Sequence, residues 1–308
     1  MTRRYKTKAI HIGNVVVGGG APVVVQSMAK TDTRDVAATV SQIREMEAEG
    51  CELVRVAVPD MEAARAIADI KKGIRIPLIA DIHFDHRLAL EALRAGADAL
   101  RLNPGNITSR QGVAQVVAEA KTRQAPIRIG VNAGSLPQDI TQGTLAERMV
   151  AAALREIGFL EGLDFGLIKL SLKAFDVPTT VQGYRLMARH TRYPLHVGIT
   201  EAGPPPAGTI RSAVGIGILL HQGIGDTIRV SLTSHPREEV RAAWDILKSL
   251  NLRQHGPVLV SCPTCGRCDV NLLGLVAQVE ERLKALSSPL KVAVMGCEVN
   301  GPGEAREA

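Results

Sequence analysis

A (β/α)8 barrel of the TIM type, followed by a small α+β domain, is the fold class that this 308-residue sequence predicts. Three observations carry it. Short aliphatic runs alternate with amphipathic stretches over roughly 230 residues, which is the beat of strands joined by crossover helices. The glycine-rich first turn that opens a doubly wound sheet is missing, so that open-sheet alternative ranks second. Four of the five cysteines fall in a tail of about fifty residues behind the last repeat, a piece too small to bury a stable core unaided.

The elements follow in order. Residues 9–17 alternate loosely and break at Gly18-Gly19-Gly20, which reads as a hairpin or a lid before the first core strand. No helix with phosphate-loop spacing follows the glycines, so a plain turn is the better reading. Barrel strands are expected at 23–26, 53–58, 77–80, 99–103, 127–131, 167–172, 195–199 and 227–231. Amphipathic helices are expected at 36–49, 61–72, 88–95, 111–122 and 238–250, among others. Residues 251–257 (Asn-Leu-Arg-Gln-His-Gly-Pro) read as a linker. A strand at 258–260, a Cys-x2-Cys turn, a helix at 271–286, a strand at 291–295 and a loop holding Cys297 complete the chain. The expected domains are therefore 1–250 and 251–308.

Hydrophobic residues at 45% and charged residues at 22% mark a soluble globular chain without low-complexity tracts. Aromatics are only 3%, so Ala, Val, Ile and Leu must build the core. The net charge of +6 is spread along the chain, and basic patches interleaved with aromatics are missing, which argues against nucleic acid as a partner. The basic N-terminus is followed by no apolar signal core, and the longest apolar run, 213–220, is too short to cross a bilayer. A cytoplasmic protein is expected, in which clustered cysteines read as metal-binding or catalytic.

Five barrel strands place one cation between aliphatic neighbours: Arg55, Arg101, Arg128, Lys169 and Arg229. The outer face of a barrel strand lies under helices, where an unpaired cation is costly. Either these side chains form buried salt bridges or they ring an anion such as a phosphate or diphosphate; periodicity does not say which of them face inward. Gln26, Asp81, His83, Asn103, Asn132, Lys173, Thr200, Glu201 and Ser231 gather just past the strand ends, where barrel enzymes keep their catalytic groups. Asp81-Ile82-His83 has a single imidazole, so acid–base or hydrogen-bonding roles suit it better than a metal pair. The other histidines lack partners at ligand spacing, and Cys51 reads as a buried small hydrophobe.

Cys262-Pro263-Thr264-Cys265 and the distant Cys297 have metal-ligand spacing, and the last loop offers a carboxylate. A zinc staple on an anion-binding barrel without redox chemistry is the competing class. Zinc sites more often answer one close pair with a second, and none is present here. Three thiolates and a carboxylate suit a [4Fe-4S] cluster with one weakly held iron, because a carboxylate is the harder, more exchangeable ligand. Cys262, Cys265 and Cys268 also resemble half a ferredoxin run, but Asp269-Val270-Asn271 supplies no fourth cysteine.

Several strings carry a resemblance that covers essentially the whole chain. They include Ala80-Asp81-Ile82-His83-Phe84-Asp85, Arg101-Leu102-Asn103-Pro104-Gly105-Asn106 and Arg128-Ile129-Gly130-Val131-Asn132-Ala133-Gly134. Gly198-Ile199-Thr200-Glu201-Ala202-Gly203, Gly225-Asp226-Thr227-Ile228-Arg229-Val230-Ser231, the turn at 261–267 and Val299-Asn300-Gly301-Pro302-Gly303-Glu304 complete the set. In this order they resemble the 4-hydroxy-3-methylbut-2-enyl diphosphate synthase family of the non-mevalonate isoprenoid pathway.

The resemblance implies two-electron reductive opening and dehydration of 2-C-methyl-D-erythritol 2,4-cyclodiphosphate. It implies a [4Fe-4S] cluster on Cys262, Cys265, Cys297 and Glu304, with Cys268 a bystander. Diphosphate contacts would fall on Arg55, Arg101, Arg128, Asn132, Lys173, Thr200, Arg229 and Ser231, with Asn103 beside them. Asp81, His83 and Glu201 would lie near the reacting carbons, Glu201 moving a proton. A homodimer is implied, one subunit's cluster domain closing over the partner's barrel, with flavodoxin or ferredoxin delivering electrons. Family members continue past the position where this chain ends, so the small domain is expected here only in part.

Overall fold

The computed structural model describes residues 4–83, 85–102, 109–283, 286, 288–299 and 301–306. Two compact units divide it, Met1–Ile246 and Leu247–Ala308. The first is a TIM-type barrel. Its parallel strands are β3 (Val24–Met28), β4 (Leu53–Ala57), β5 (Leu78–Ile82), β6 (Ala99–Leu102), β7 (Ile127–Asn132), β8 (Ile168–Lys173), β9 (His196–Val197) and β10 (Thr227–Ile228). They hydrogen-bond in the order β8-β7-β6-β5-β4-β3-β10-β9. A parallel bridge between Leu170 and Leu195 closes the ring, and Leu170 N–H donates to Pro194 O at 2.9 Å.

The helices between strands are α1 (Val36–Ala48), α2 (Met61–Gly73), α3 (His86–Arg94), α4 (Arg110–Thr122), α5 (Leu145–Gly162), α6 (Val177–His190), α7 (Ala207–His221) and α8 (Pro236–Ser249). Most begin at a side-chain cap. Asp35, Asp60, Asp85, Ser109 and Asp176 each accept a backbone N–H from the first turn, and Thr144 with Glu147 forms a reciprocal capping box. The apolar run at 213–220 lies within α7, and no described helix is long and apolar enough to cross a membrane. The strands expected at 195–199 and 227–231 shorten to two residues each, although Arg229 N–H still bonds Val197 O at 3.0 Å.

The opening segment is a hairpin, β1 (Ile10–Ile12) paired antiparallel with β2 (Val15–Val17). It does not cover the mouth as a lid. Ile10, Ile12 and Val17 pack against Val24, Leu53, Ile79 and Ala99, with Val15 and Leu167 beside them. Those barrel residues stand at the N-terminal ends of their strands, so the hairpin plugs the floor. Carboxylates from nearby loops pin the same end: Glu52 accepts Val25 N–H at 2.8 Å, Asp98 accepts Leu78 N–H at 2.7 Å, and Asp226 accepts Leu195 N–H at 2.9 Å.

In the second unit β11 (Val258–Ser261) pairs parallel with β12 (Lys291–Val294), and α9 (Leu272–Leu283) forms the crossover. A short helix, α10 (Gly301–Arg306), follows.

Candidate active site

Strand alternation turns the apolar floor into a charged layer within two residues. Val24, Leu53, Ile79, Ala99 and Leu167 belong to the floor cluster. The residues two positions on, pointing to the same face, are Gln26, Arg55, Asp81, Arg101 and Lys169. Register extends that face, since Asp81 pairs with Arg101, Arg101 with Arg128, Arg128 with Lys169, and Asn132 with Lys173. Arg229 follows Ile228, which pairs with Val25, so it falls beside Gln26 on this face, and its guanidinium lies 3.7 Å from Glu239. All five strand cations therefore face inward, joined by Lys173.

The carboxylates inside are too few to neutralise them. Asp81 Oδ2 lies 3.3 Å from Arg55 Nε, and its Oδ1 lies 3.2 Å from Arg101 Nη1 and 3.6 Å from His83 Nε2. Burial alone would raise this carboxyl, but Arg55, the His83 hydrogen bond, Arg101 and Arg128 hold it well below the usual range. It stays ionised and cannot store a proton near neutrality. Glu239, from α8, is buried and fully engaged: it accepts Ser27 Oγ at 3.0 Å and Leu232 N–H at 3.0 Å, and pairs with Lys30 at 2.9 Å.

The cations pay for their crowding in their acidity. Burial first, opposed by Asp81 and reinforced by Arg229 and Arg101, brings Arg55 down to about 10. Burial followed by Arg128 and Arg55 pushes Lys169 well below its ordinary value; burial followed by Arg229, Arg128 and Arg55 does the same to Lys173. The Arg128 Nη1 group donates to Ser171 Oγ at 2.6 Å, but among the described residues its Nε and Nη2 have no partner. Gln26 Nε2, Arg101 Nε, His196 Nε2 and Arg229 Nε are buried and unpartnered as well. Orphaned buried donors are uncommon, and a set of them on one inner face is chemistry suited to an anion with many acceptor oxygens.

The remaining expected residues lie toward the strand ends. Asn132, Thr200 and Ser231 are half-buried, and His83 is exposed beside Asp81. Glu201 is exposed and adopts φ = +53°, a left-handed conformation that costs a non-glycine residue energy and is common at functional positions. Asn103 lies outside the described residues. Lys169, one of the five strand cations, shares its face with Ser171 and Lys173. Glu239 was not singled out from sequence. Nothing in the sequence separates the buried Glu239 from its neighbour Glu238.

In the small unit, Cys262 follows β11 directly and its N–H bonds Val294 O at 3.2 Å. Thr264 has φ = +69°, which is rare for a β-branched residue and wraps the Cys262–Cys265 turn tightly. Hydrogen bonds from the Arg267 backbone and guanidinium hold the Cys265 thiol below its ordinary value. The same guanidinium feels Cys297 and Cys262, so it is shared by all three. Cys268 turns elsewhere, its Sγ bonding Val270 O at 3.4 Å. Glu304 is exposed in α10, whose first N–H, from Gly301, bonds Cys297 O at 3.2 Å. Three thiols served by one cation, with a carboxylate on the adjoining helix, fit the donor set of an iron–sulfur cluster. Among the described residues no three such side chains converge as they would around a single ion.

Known proteins match both units. The family model described as the GcpE TIM-barrel domain matches residues 7–244, and that of the GcpE protein C-terminal domain matches residues 258–308. A Dehalococcoides mccartyi protein named 4-hydroxy-3-methylbut-2-en-1-yl diphosphate synthase (flavodoxin) is 62% identical over 100% of this chain and 88% of its own length. Proteins of the same name from Thermodesulfovibrio yellowstonii and Geobacter sulfurreducens are 56% and 60% identical, over 100% and 98% of this chain and 89% and 87% of their own. Among solved structures, dihydropteroate synthase from Stenotrophomonas maltophilia aligns with a TM-score of 0.57 at 15% identity, over 75% of this chain and 92% of that one. At that identity it shows a shared barrel fold and nothing about chemistry.

Proposed function

The chain belongs to the GcpE family, and on that premise we propose that it is an oxidoreductase converting 2-C-methyl-D-erythritol 2,4-cyclodiphosphate to 4-hydroxy-3-methylbut-2-enyl diphosphate in isoprene biosynthesis. The observation that carries this reading is the inward layer of cations with unpartnered donors, matched to a substrate whose diphosphate presents many oxygens. Arg55, Arg101, Arg128, Lys173 and Arg229 grip the diphosphate, while Asn132, Thr200 and Ser231 supply neutral hydrogen bonds at the strand ends, with Asn103 as a further contact. Fixing that group orients the carbon skeleton, converting a loose encounter into a near-attack arrangement.

Asp81 holds Arg55 and Arg101 in place and orients His83 beside the carbons. Glu201, exposed on its left-handed turn, is the group that moves a proton, since Asp81 stays ionised. Cys262, Cys265, Cys297 and Glu304 would hold a [4Fe-4S] cluster, which when bound supplies the two electrons one at a time. The names of the relatives assign flavodoxin as the donor, and ferredoxin is the chemical equivalent to compare with it. The working form in this reading is a cytoplasmic homodimer in which one subunit's cluster serves the partner's barrel.

Anaerobic reconstitution with iron and sulfide tests the reading. A brown protein carrying about four irons, able to consume the cyclic diphosphate with reduced flavodoxin, is expected. A colourless protein with one tightly held zinc and no reductive turnover would replace it with an anion-binding, zinc-stapled barrel. Mixing inactive Cys265→Ser and inactive Arg128→Met chains should restore part of the activity if sites form between subunits; no recovery would confine each site to one chain.

A further inference from the structure

Lys169 is 1% exposed, in the layer directly above the apolar floor. Among the described residues its Nζ has one hydrogen bond, a long one of 3.5 Å to Gln26 Oε1 across the barrel. Arg128 is its register neighbour on β7. Arg55 from β4 adds positive charge, and His196 from β9 lies within electrostatic reach. The nearest acid acting on it, Asp226, is committed below to Arg4, Thr7 Oγ1 and the Leu195 N–H. Among the described residues no carboxylate comes within the 4.0 Å of an ion pair with it. Burial among like charges without a counterion disfavours the ammonium, and an arriving negative group would favour it.

We propose that Lys169 is a further anion-binding residue at the base of the barrel, an uncharged amine in the free protein that takes one proton from solvent when a diphosphate seats above it. The proposal rests on the diphosphate-binding reading of the barrel and deepens it. The bound oxygens supply the missing counterion, and the new ammonium supplies a short charge-assisted donor from beneath. Lys173, nearer the mouth, is opposed by the Glu239 carboxylate as well as pressed by the arginines, whereas Lys169 has only the engaged Asp226. Binding and proton uptake are then one linked event.

The test is calorimetric titration of the full chain with inorganic pyrophosphate near pH 8, in two buffers of different ionisation enthalpy. Wild type should take up about one proton more per bound pyrophosphate than Lys169→Met. Affinity should fall on the order of tenfold or more in that variant, as loss of one charge-assisted contact implies. Lys169→Arg, which stays charged, should bind without the extra proton, and it decides the matter if the methionine variant does not fold. Equal uptake in wild type and both variants overturns the proposal and leaves the diphosphate site standing. Failure of pyrophosphate to bind wild type removes the underlying reading and the proposal with it.

Discussion

Arg101 Nη1 stands 3.2 Å from Asp81 Oδ1, while the Nε of the same guanidinium is buried without a partner among the described residues. One carboxylate thus half-satisfies a cation and leaves its other donor open, and Asp81 does this for Arg55 as well. Such a half-neutralised layer is ready for an anion and unstable without its acid. Asp81→Asn should lower stability by about 3–5 kcal/mol, the usual cost of breaking a buried pair, and saturating pyrophosphate should recover part of it. The sign with pH is definite. The carboxyl is depressed in the folded state, so its contribution is complete above the ordinary carboxylate range and is lost only as pH falls below it. The deficit of the variant should be constant between pH 5 and pH 8 in urea unfolding; a deficit that vanishes at pH 5 would contradict the ionised assignment.

Two glycines on the inner face separate folding from binding. A Cβ at Gly130 would lie 2.9 Å from Arg101 Nε and 3.4 Å from Ser171 Oγ, both side-chain atoms that can shift. At Gly198 it would meet the backbone oxygen of Arg229, which cannot, besides Lys173 Nζ at 2.9 Å. Gly130→Ala should therefore fold normally while turnover falls roughly tenfold to a hundredfold from a displaced guanidinium. Gly198→Ala should lose about 1–3 kcal/mol of stability as an overpacked site. Equal melting temperatures for the two variants would count against this division.

The alternation of aliphatic runs and amphipathic segments was enough to read the barrel, because eight strand–helix repeats impose a pattern that survives without long-range information. The inward direction of the cations was not readable. A parallel barrel strand is apolar on both faces, so period two is masked, and only register beside Asp81, Arg101 and Arg128 resolves it. The hairpin's place beneath the barrel was hidden for a related reason. Ile10, Ile12 and Val17 announce a buried face but not which end of the barrel it meets. Glu239 was invisible because its burial comes from the tertiary meeting of α8 with Ser27 and Leu232.

Glu239 sets the next expectation. Its carboxylate receives Ser27, the Leu232 N–H and Lys30 while facing Arg229 at 3.7 Å, so it fixes the β10 exit against β3. Glu239→Ala strands several buried donors at once and should cost about 3–5 kcal/mol. Glu239→Gln keeps the shape and some acceptors, so it should lose less stability while still weakening pyrophosphate binding through a misplaced Arg229. Binding in Glu239→Gln equal to wild type would restrict the residue to a purely structural role.

His196 makes stability fall with acid. Burial first, then Lys173, Arg128 and Lys169, keep its imidazole well below the ordinary 6.5, and Nδ1 is engaged with Thr227 Oγ1 at 2.8 Å. Above pH 6.5 both folded and unfolded imidazoles are neutral and the residue contributes no slope. Below it only the unfolded chain takes the proton, so stability drops by up to about 1.4 kcal/mol per pH unit from this residue. Asp81, ionised in both states across this window, adds nothing. Urea unfolding at pH 5, 6 and 7 should show a shallower slope for His196→Asn than for wild type, even though the variant is less stable overall; parallel slopes would mean that the imidazole titrates in the fold.

The thiols of the small unit differ in what surrounds them, and iron retention should follow that difference. Arg267 faces Cys265, Cys297 and Cys262, whereas Cys268 spends its thiol on Val270 O. Cys265→Ser should therefore leave the anaerobically reconstituted protein with little bound iron, and Cys268→Ser should retain the wild-type amount. Glu304 is a separate case, because a carboxylate would be the most exchangeable donor of the proposed ligand set. Glu304→Ala should keep most of the iron and the brown colour while turnover of the cyclic diphosphate falls on the order of a hundredfold or more, the scale of losing one group that acts at the reacting atoms. Iron loss in Cys268→Ser equal to that in Cys265→Ser would move the cluster onto the 262–268 run, and normal turnover in Glu304→Ala would remove the carboxylate from the ligand set.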